Sequence, residues 1–197
     1  MNKGELTKEH IIQQAATLFN MRGYSGGSMA ELMARTGLKK GGIYNHFHSK
    51  EEIAVEAFDY SIELINQALH NVTQKESTAT GKLIAIFNFY KDYPLNSTIA
   101  GGCPILNTAV EAADTNPKLK EHVQQALNNW IKGLSAVINK GIREDEFRAG
   151  VNPEEAAVVI ISLIEGGIVI TRSFGDESYM RLITKQLMNY LDTELKV

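Results

Sequence analysis

Apolar residues recur at steps of three and four along most of this 197-residue chain. That is the period of an amphipathic helix, and no run alternates as a half-buried strand does. The first stripe is Ile11, Ile12, Ala15, Leu18 and Phe19, which predicts a helix capped near Thr7 and ended by Gly23. Ser28-Met29-Ala30-Glu31 has the form of a capping box, in which the serine and glutamate side chains satisfy each other's helix-end amides. The helix it opens runs through Leu32 and Met33 to Gly37, a residue type that commonly terminates helices. Ser49-Lys50-Glu51-Glu52 is a second box and opens a long helix striped by Phe58, Ile62, Ile65, Leu69 and Val72. After a polar break at residues 74–80, Leu83, Ile84, Phe87 and Tyr90 mark a helix stopped by Pro94. Gly101-Gly102-Cys103-Pro104 begins another, expected to end at Ala113. Pro117 begins a long one with Leu119, Val123, Leu127, Trp130, Leu134, Val137 and Ile142 inward; Pro153 opens a helix apolar nearly all round, and a last helix starts near Ser178.

The predicted fold is therefore all-α, without internal repeats or low-complexity tracts. A helix apolar on every side has to be buried on every side, which the helix from Ala156 to Ile170 can hardly achieve in so small a bundle. Adjacent Gly166 and Gly167 would let a second helix approach closely. Both features predict a two-fold homodimer with Ile160, Ile164, Gly167 and Ile168 of this helix, and Ile183, Leu187 and Leu191 of the last, at the interface.

Composition changes this picture little, but charge changes it more. Apolar residues make up 44 % and charged residues 22 %, an ordinary globular balance. The N-terminus lacks the apolar core of a signal peptide, and the longest apolar run is read as shorter than the ~20 residues of a membrane span. One cysteine excludes an intramolecular disulfide and fits a reducing cytoplasm. Residues 1–50 hold seven Lys or Arg against three acids, a net of +4, whereas residues 51–197 carry −7. A basic head of residues 1–50 on an acidic body of residues 51–197 points to a polyanion met by the head alone.

The head contains Leu38-Lys39-Lys40-Gly41-Gly42-Ile43-Tyr44-Asn45-His46-Phe47, whose paired glycines cost a helix about 2 kcal/mol relative to alanine. Two helices joined by a tight turn at Gly37 form a helix-turn-helix arrangement, whose second helix enters the major groove of DNA. That use accounts for the composition. Leu38, Ile43 and Phe47 pin the helix to its predecessors, and Gly41 and Gly42 clear space for close approach to DNA. Lys39 and Lys40 can reach guanine edges or phosphate. Tyr44, His46 and Lys50 flank the groove, where phosphate contacts position the protein without reading sequence. Ser28, Met29 and Asn45 complete the candidate DNA contacts.

These residues resemble the signature of the TetR-type transcriptional regulators, G-x-x-x-G-x-[LI]-Y-x-[HY]-F-x-[SN]-K-x-x-[LI]. Gly37, Gly41, Ile43, Tyr44, His46, Phe47, Ser49, Lys50 and Ile53 match it. Upstream, Ala15, Phe19, Gly23, Tyr24, Ser28 and Leu32 fall where that family places them, so the resemblance covers about sixty residues. Met33, Thr36 and Gly42 depart from it; Gly42 removes a side chain that commonly contacts DNA. The resemblance implies a three-helix DNA-binding domain, a larger helical domain that binds an effector and dimerises, and release of a double-stranded operator on ligand binding.

Phe87, Tyr90, Cys103, Asn107, Trp130 and Glu165 are the candidate effector-binding residues, because ligand pockets combine aromatic walls with a few polar groups. Cys103, at a helix N-terminus, is either a redox or electrophile sensor or a small buried residue. Glu165, within the most apolar helix, calls for a buried partner, Arg172 or a cationic effector among the choices. No Gly-rich phosphate loop, HExxH motif, metal-ligand cluster or cofactor signature is present, so an enzyme is not expected. The rival reading is a helical ligand-binding or interaction protein without DNA binding.

Overall fold

In a computed structural model that describes residues 2–112 and 115–197, nine α-helices follow one another. They are α1 (Lys3–Gly26), α2 (Met29–Thr36), α3 (Lys40–Tyr44), α4 (Lys50–Thr73), α5 (Ala79–Asp92), α6 (Pro104–Ala112), α7 (Pro117–Arg143), α8 (Pro153–Phe174) and α9 (Ser178–Tyr190), with a π-turn at Leu191–Leu195. The described residues contain no strand, only an isolated bridge between Phe147 and Lys196. The fold is all-α, as the periodicity predicts. The expected end of α6 at Ala113 lies outside the described residues.

Packing divides the chain into two compact units, Met1–Ile65 with Ile99–Gln125, and Asn66–Thr98 with Ala126–Val197. This boundary differs from the division at residue 50 read from charge and motif. The first unit joins the basic head to the first part of α4 and to α6; α4 and α7 each continue from one unit into the other.

The first unit closes around Ile11, Ala15, Leu18, Leu32, Ile43, Phe47 and Ile53, none more than 1 % exposed. Its helix ends explain its outline. Asn2, not Thr7, caps α1: Asn2 Oδ1 accepts from the Glu5 amide at 2.9 Å and Glu5 returns the contact to the Asn2 amide at 2.7 Å. The Thr7 hydroxyl instead donates to the Lys3 carbonyl. The true start is polar and carries no apolar stripe to announce it. At the other end Gly23 takes φ +75° and ψ 165°, breaking the helix where the sequence stops it. The Ser28–Glu31 box forms as expected, and Gly37 closes α2 in the left-handed region at φ +69°. At α4, Ser49 Oγ accepts from the Glu52 amide, but the Glu52 carboxylate accepts from the His48 amide rather than from Ser49.

In the second unit the buried set is Leu83 and Phe87 of α5, Leu134 and Ile138 of α7, Ile160, Ile164 and Ile168 of α8, and Met180 and Leu187 of α9. Length and composition alone would let the 22-residue α8 cross a membrane, because it extends beyond the apolar run read from the sequence. Its inner face packs against α9. A Cβ at Gly167 would lie 2.6 Å from Met180 Sδ, so this glycine admits α9 of the same chain rather than a partner.

The residues expected at a dimer interface, except Ile183, are accordingly buried inside the chain. Ile160, Ile164 and Leu187 have no exposed surface, Ile168 and Leu191 have 1 %, Gly167 is buried and Ile183 half-buried. A buried residue has no surface left for a partner. The helix presents a different apolar stripe outward: Val158, Val159, Val169 and Ile170, between 39 and 45 % exposed, with Ser162 and Gly166 between them. All-round apolarity had hidden which face was which.

Candidate nucleic-acid interface

The helix-turn-helix is assembled from short pieces that depend on their anchors. α3 is five residues long, shorter than the expected span from Leu38 to Phe47. The paired glycines and a Lys39 cap that forms no side-chain hydrogen bond give it little intrinsic stability. Ile43, at 0 % exposure, and Phe47, at 1 %, fix it to α1 and α2 through the common core. Past Tyr44 the chain tightens, with the His46 amide on the Ile43 carbonyl at 2.9 Å.

The other face of α3 is open. Lys39, Lys40, Gly41 and Asn45 are exposed, and Gly42, Tyr44 and His46 are partly so. A Cβ at Gly41 would meet nothing within 4 Å, and one at Gly42 only Leu38 at an ordinary 3.6 Å. Nothing inside the chain therefore demands glycine here. The Lys40 ammonium stands 5.7 Å from the centroid of the Tyr44 ring, an arrangement that keeps both on the open face. Exposed Arg35 in the last turn of α2 adds charge, and exposed Ser28 and half-buried Met29 lie at the start of that helix. Ser28's hydrogen bonds to Glu31 hold that carboxyl below its usual range. Lys8, by contrast, pairs with Glu56 at 2.8 Å.

Lys50 is placed differently from the other candidates. Its Nζ donates to the Tyr24 carbonyl at 2.5 Å and lies 4.5 Å from the Tyr24 ring centroid. Burial pushes its pKa down, and the Glu111 carboxylate partly opposes that shift.

Two matches decide the family. Residues 11–57 match the model of bacterial regulatory proteins of the tetR family, and residues 79–187 match the tetracyclin repressor-like C-terminal domain. The chain belongs to the TetR family. A TetR transcriptional regulator from Chloroflexus aurantiacus J-10-FL is 35 % identical over the full length of both chains, with a TM-score of 0.96. A TetR-family regulator from Cytophaga hutchinsonii is 32 % identical, covering 100 % of this chain and 98 % of that one, at a TM-score of 0.93. The HTH-type transcriptional regulator YxaF of Bacillus subtilis (strain 168) is 26 % identical over 92 % of this chain and 93 % of its own. The protein is thus a helix-turn-helix transcriptional regulator of a family that binds DNA operators and acts as dimers.

The effector candidates of this TetR-family chain are divided between its compact units. Phe87 and Tyr90 are buried on α5, with Trp130 stacked on Tyr90 at 5.5 Å and 28°. Tyr90 also meets Phe89 edge-on at 5.1 Å and Tyr93 at 5.5 Å, so these rings fill one another's space. Glu165 is half-buried on α8. Cys103 and Asn107 belong to the first unit, where Cys103 is 4 % exposed just ahead of Pro104. Of the six, only Asn107 lines the cavity enclosed by α1, α4, α6 and the start of α7. That cavity holds about 30 Å³, room for a water or two. A more open cleft of about 300 Å³, between Arg148, Asn152, Glu155, Tyr190 and Glu194, contains none of the six. Among the described residues, no three His, Cys, Asp or Glu side chains are grouped to hold a metal.

The sequence reading missed Glu111. Its carboxylate accepts from the Tyr24 and Ser25 amides, each at 2.6 Å. Asn107, proposed for an effector, donates to the Asn20 and Gly101 carbonyls at 3.1 and 2.9 Å. Their four-residue spacing on α6 was the available signal, but the partners lie 86 and 87 positions away.

Proposed function

We propose that this regulator is a repressor that binds a palindromic duplex operator as a homodimer and releases it when a small molecule binds its helical body. The carrying observation is the open face of α3: Lys39, Lys40, Gly41 and Asn45 face solvent on a helix whose inner side is pinned by Ile43. Gly41 fills no packing need, so its cost in helix stability is recovered only if something outside the chain comes close. Lys39 and Lys40 then supply groove contacts, and Tyr44, His46 and the Ser28–Met29 start of α2 supply backbone contacts. The exposed stripe of α8 supports pairing of two copies, and the family's dimeric habit agrees with it. Two α3 helices would then engage half-sites roughly 34–36 Å apart. The protein would work in the cytoplasm, where its operator is.

α4 supports the ligand response, because it is one continuous helix that starts at Lys50 and enters the second unit at Asn66. A ligand taken up by the helical body would tilt it and spoil the half-site spacing. The test is selection of duplexes from a random-sequence pool, followed by titration over a range of salt. A regulator should enrich a palindrome, and log K should fall by about 0.9 per phosphate contacted for each unit of log[salt]. Failure to retain any duplex at low salt would overturn the proposal.

A further inference from the structure

The end of α1 is held by residues outside the helix-turn-helix motif. The break at Gly23 presents the next two amides to α6, where the Glu111 carboxylate takes both, Oε2 from Tyr24 and Oε1 from Ser25, each at 2.6 Å. Both are charge-assisted hydrogen bonds, the strong kind. One turn earlier on α6, Asn107 Nδ2 donates to the Asn20 carbonyl at 3.1 Å, to Asn20 Oδ1 at 2.9 Å and to the Gly101 carbonyl at 2.9 Å. Asn20 Nδ2 in turn donates to the Ala100 and Gly102 carbonyls, both at 3.0 Å. Two glycines make the approach possible. A Cβ at Gly23 would lie 2.6 Å from Glu111 Oε2, and one at Gly101 would lie 2.6 Å from the Asn20 carbonyl oxygen.

Lys50 completes the arrangement from the other side. The peptide unit joining Tyr24 to Ser25 gives its N–H to Glu111 and its carbonyl to Lys50 Nζ. The ammonium also stands 4.5 Å from the Tyr24 ring centroid and 5.7 Å from that of Phe19. Moving it out to a phosphate would leave the Tyr24 carbonyl without this donor and vacate both ring faces. A duplex therefore competes with the chain itself for this side chain.

We propose that Lys50 and Glu111 are positioning residues for DNA binding rather than DNA contacts. They fix the Tyr24–Ser25 peptide three residues before the Ser28 cap, and so set where α2 and α3 stand within the first unit. The proposal rests on the reading of the chain as a duplex-DNA binder.

The full-length protein, its Lys50→Met and Glu111→Ala variants and a duplex enriched from a random pool by the wild type provide the test. Hydrogen exchange without DNA reads the grip, and the slope of log K against log[salt] counts phosphate contacts. In Glu111→Ala, exchange at the Tyr24 and Ser25 amides should accelerate while the amides of α7 to α9 keep their protection. In both variants duplex affinity should fall about tenfold, the scale of one mismatched base pair, with the salt slope unchanged. A slope reduced by about 0.9 per copy of Lys50, about 1.8 for the dimer, in Lys50→Met would make Lys50 a phosphate contact and overturn its part of the proposal. Faster exchange with undiminished affinity, or unchanged exchange at both amides, would overturn the role of Glu111. Should Glu111→Ala fail to fold, Glu111→Gln keeps one accepting oxygen and must show the same changes in smaller measure. A pool that enriches no duplex would refute the DNA-binding reading and the positioning role with it. The exchange data would still report the grip, so the two failures are distinguishable.

Discussion

Gly41 and Gly141 are both helical glycines, and the space around them differs. A Cβ at Gly141 would lie 2.2 Å from Phe147 Cδ2 and 2.9 Å from the Ala79 Cβ. Phe147 is 2 % exposed and has little room to yield, so Gly141→Ala should destabilise the fold by about 1–3 kcal/mol through overpacking. A Cβ at Gly41 would meet nothing. Gly41→Ala should therefore stabilise the isolated protein by up to about 1 kcal/mol through helix propensity. It should nevertheless weaken binding to the enriched duplex, because the added methyl occupies the gap that DNA would fill. Thermal melts and titrations check the two halves separately; a variant that is more stable and binds equally well would remove close approach from the role of Gly41. Lys40→Ala, on the same face, should cost about 1–3 kcal/mol of duplex affinity if it reads a base. Unchanged affinity at moderate salt would remove Lys40 from the contacts.

At the scale of elements, helix ends were legible where the partner is local and illegible where it is remote. Ser28 and Glu31 find each other because three residues separate them, and Pro117 and Pro153 open α7 and α8 as read. The start of α5 instead depends on Glu146, whose carboxylate accepts from the Ala79 and Thr80 amides at 2.8 and 2.9 Å from 67 and 66 positions away. No periodicity could announce that pairing, nor the grip of Glu111. Burial alone would push the Glu146 pKa up, but hydrogen bonds from Thr80 and Ala79 and the Lys140 charge outweigh it, and the net direction is down. A folded pKa below the unfolded carboxylate's ~4.3 means the contribution is complete above that value and is lost as pH falls through the folded pKa. Glu146→Gln should thus cost about 1 kcal/mol near neutrality, as lost caps do, with the gap to wild type closing in acid. Urea unfolding at neutral and acidic pH measures this, and a gap independent of pH would show that the charge on Glu146 is immaterial.

At the scale of the whole molecule, the sequence predicts an all-α fold with a paired helix, but the α8 residues it assigns to the pair are buried within the chain. The inner isoleucines and the outer valines are equally apolar, so hydropathy cannot separate them; only packing against α9 does. The distinction gives two substitutions on one helix opposite outcomes. Ile164→Lys would bury an unpaired charge at a position with no exposed surface, and the protein should fail to fold. Val169→Lys falls on the outward stripe, at 44 % exposure, so the single chain should remain folded while pairing is lost. Sedimentation at micromolar concentration would then report a monomer with native helix content. A dimer contacts phosphates in two half-sites and a monomer in one. The slope of log K against log[salt] should therefore fall to about half in Val169→Lys, as well as affinity falling. A folded Val169→Lys dimer with the wild-type slope would place the interface away from this stripe. A monomer that kept the full slope would mean that one chain makes all the phosphate contacts, and the two-half-site arrangement would have to be abandoned.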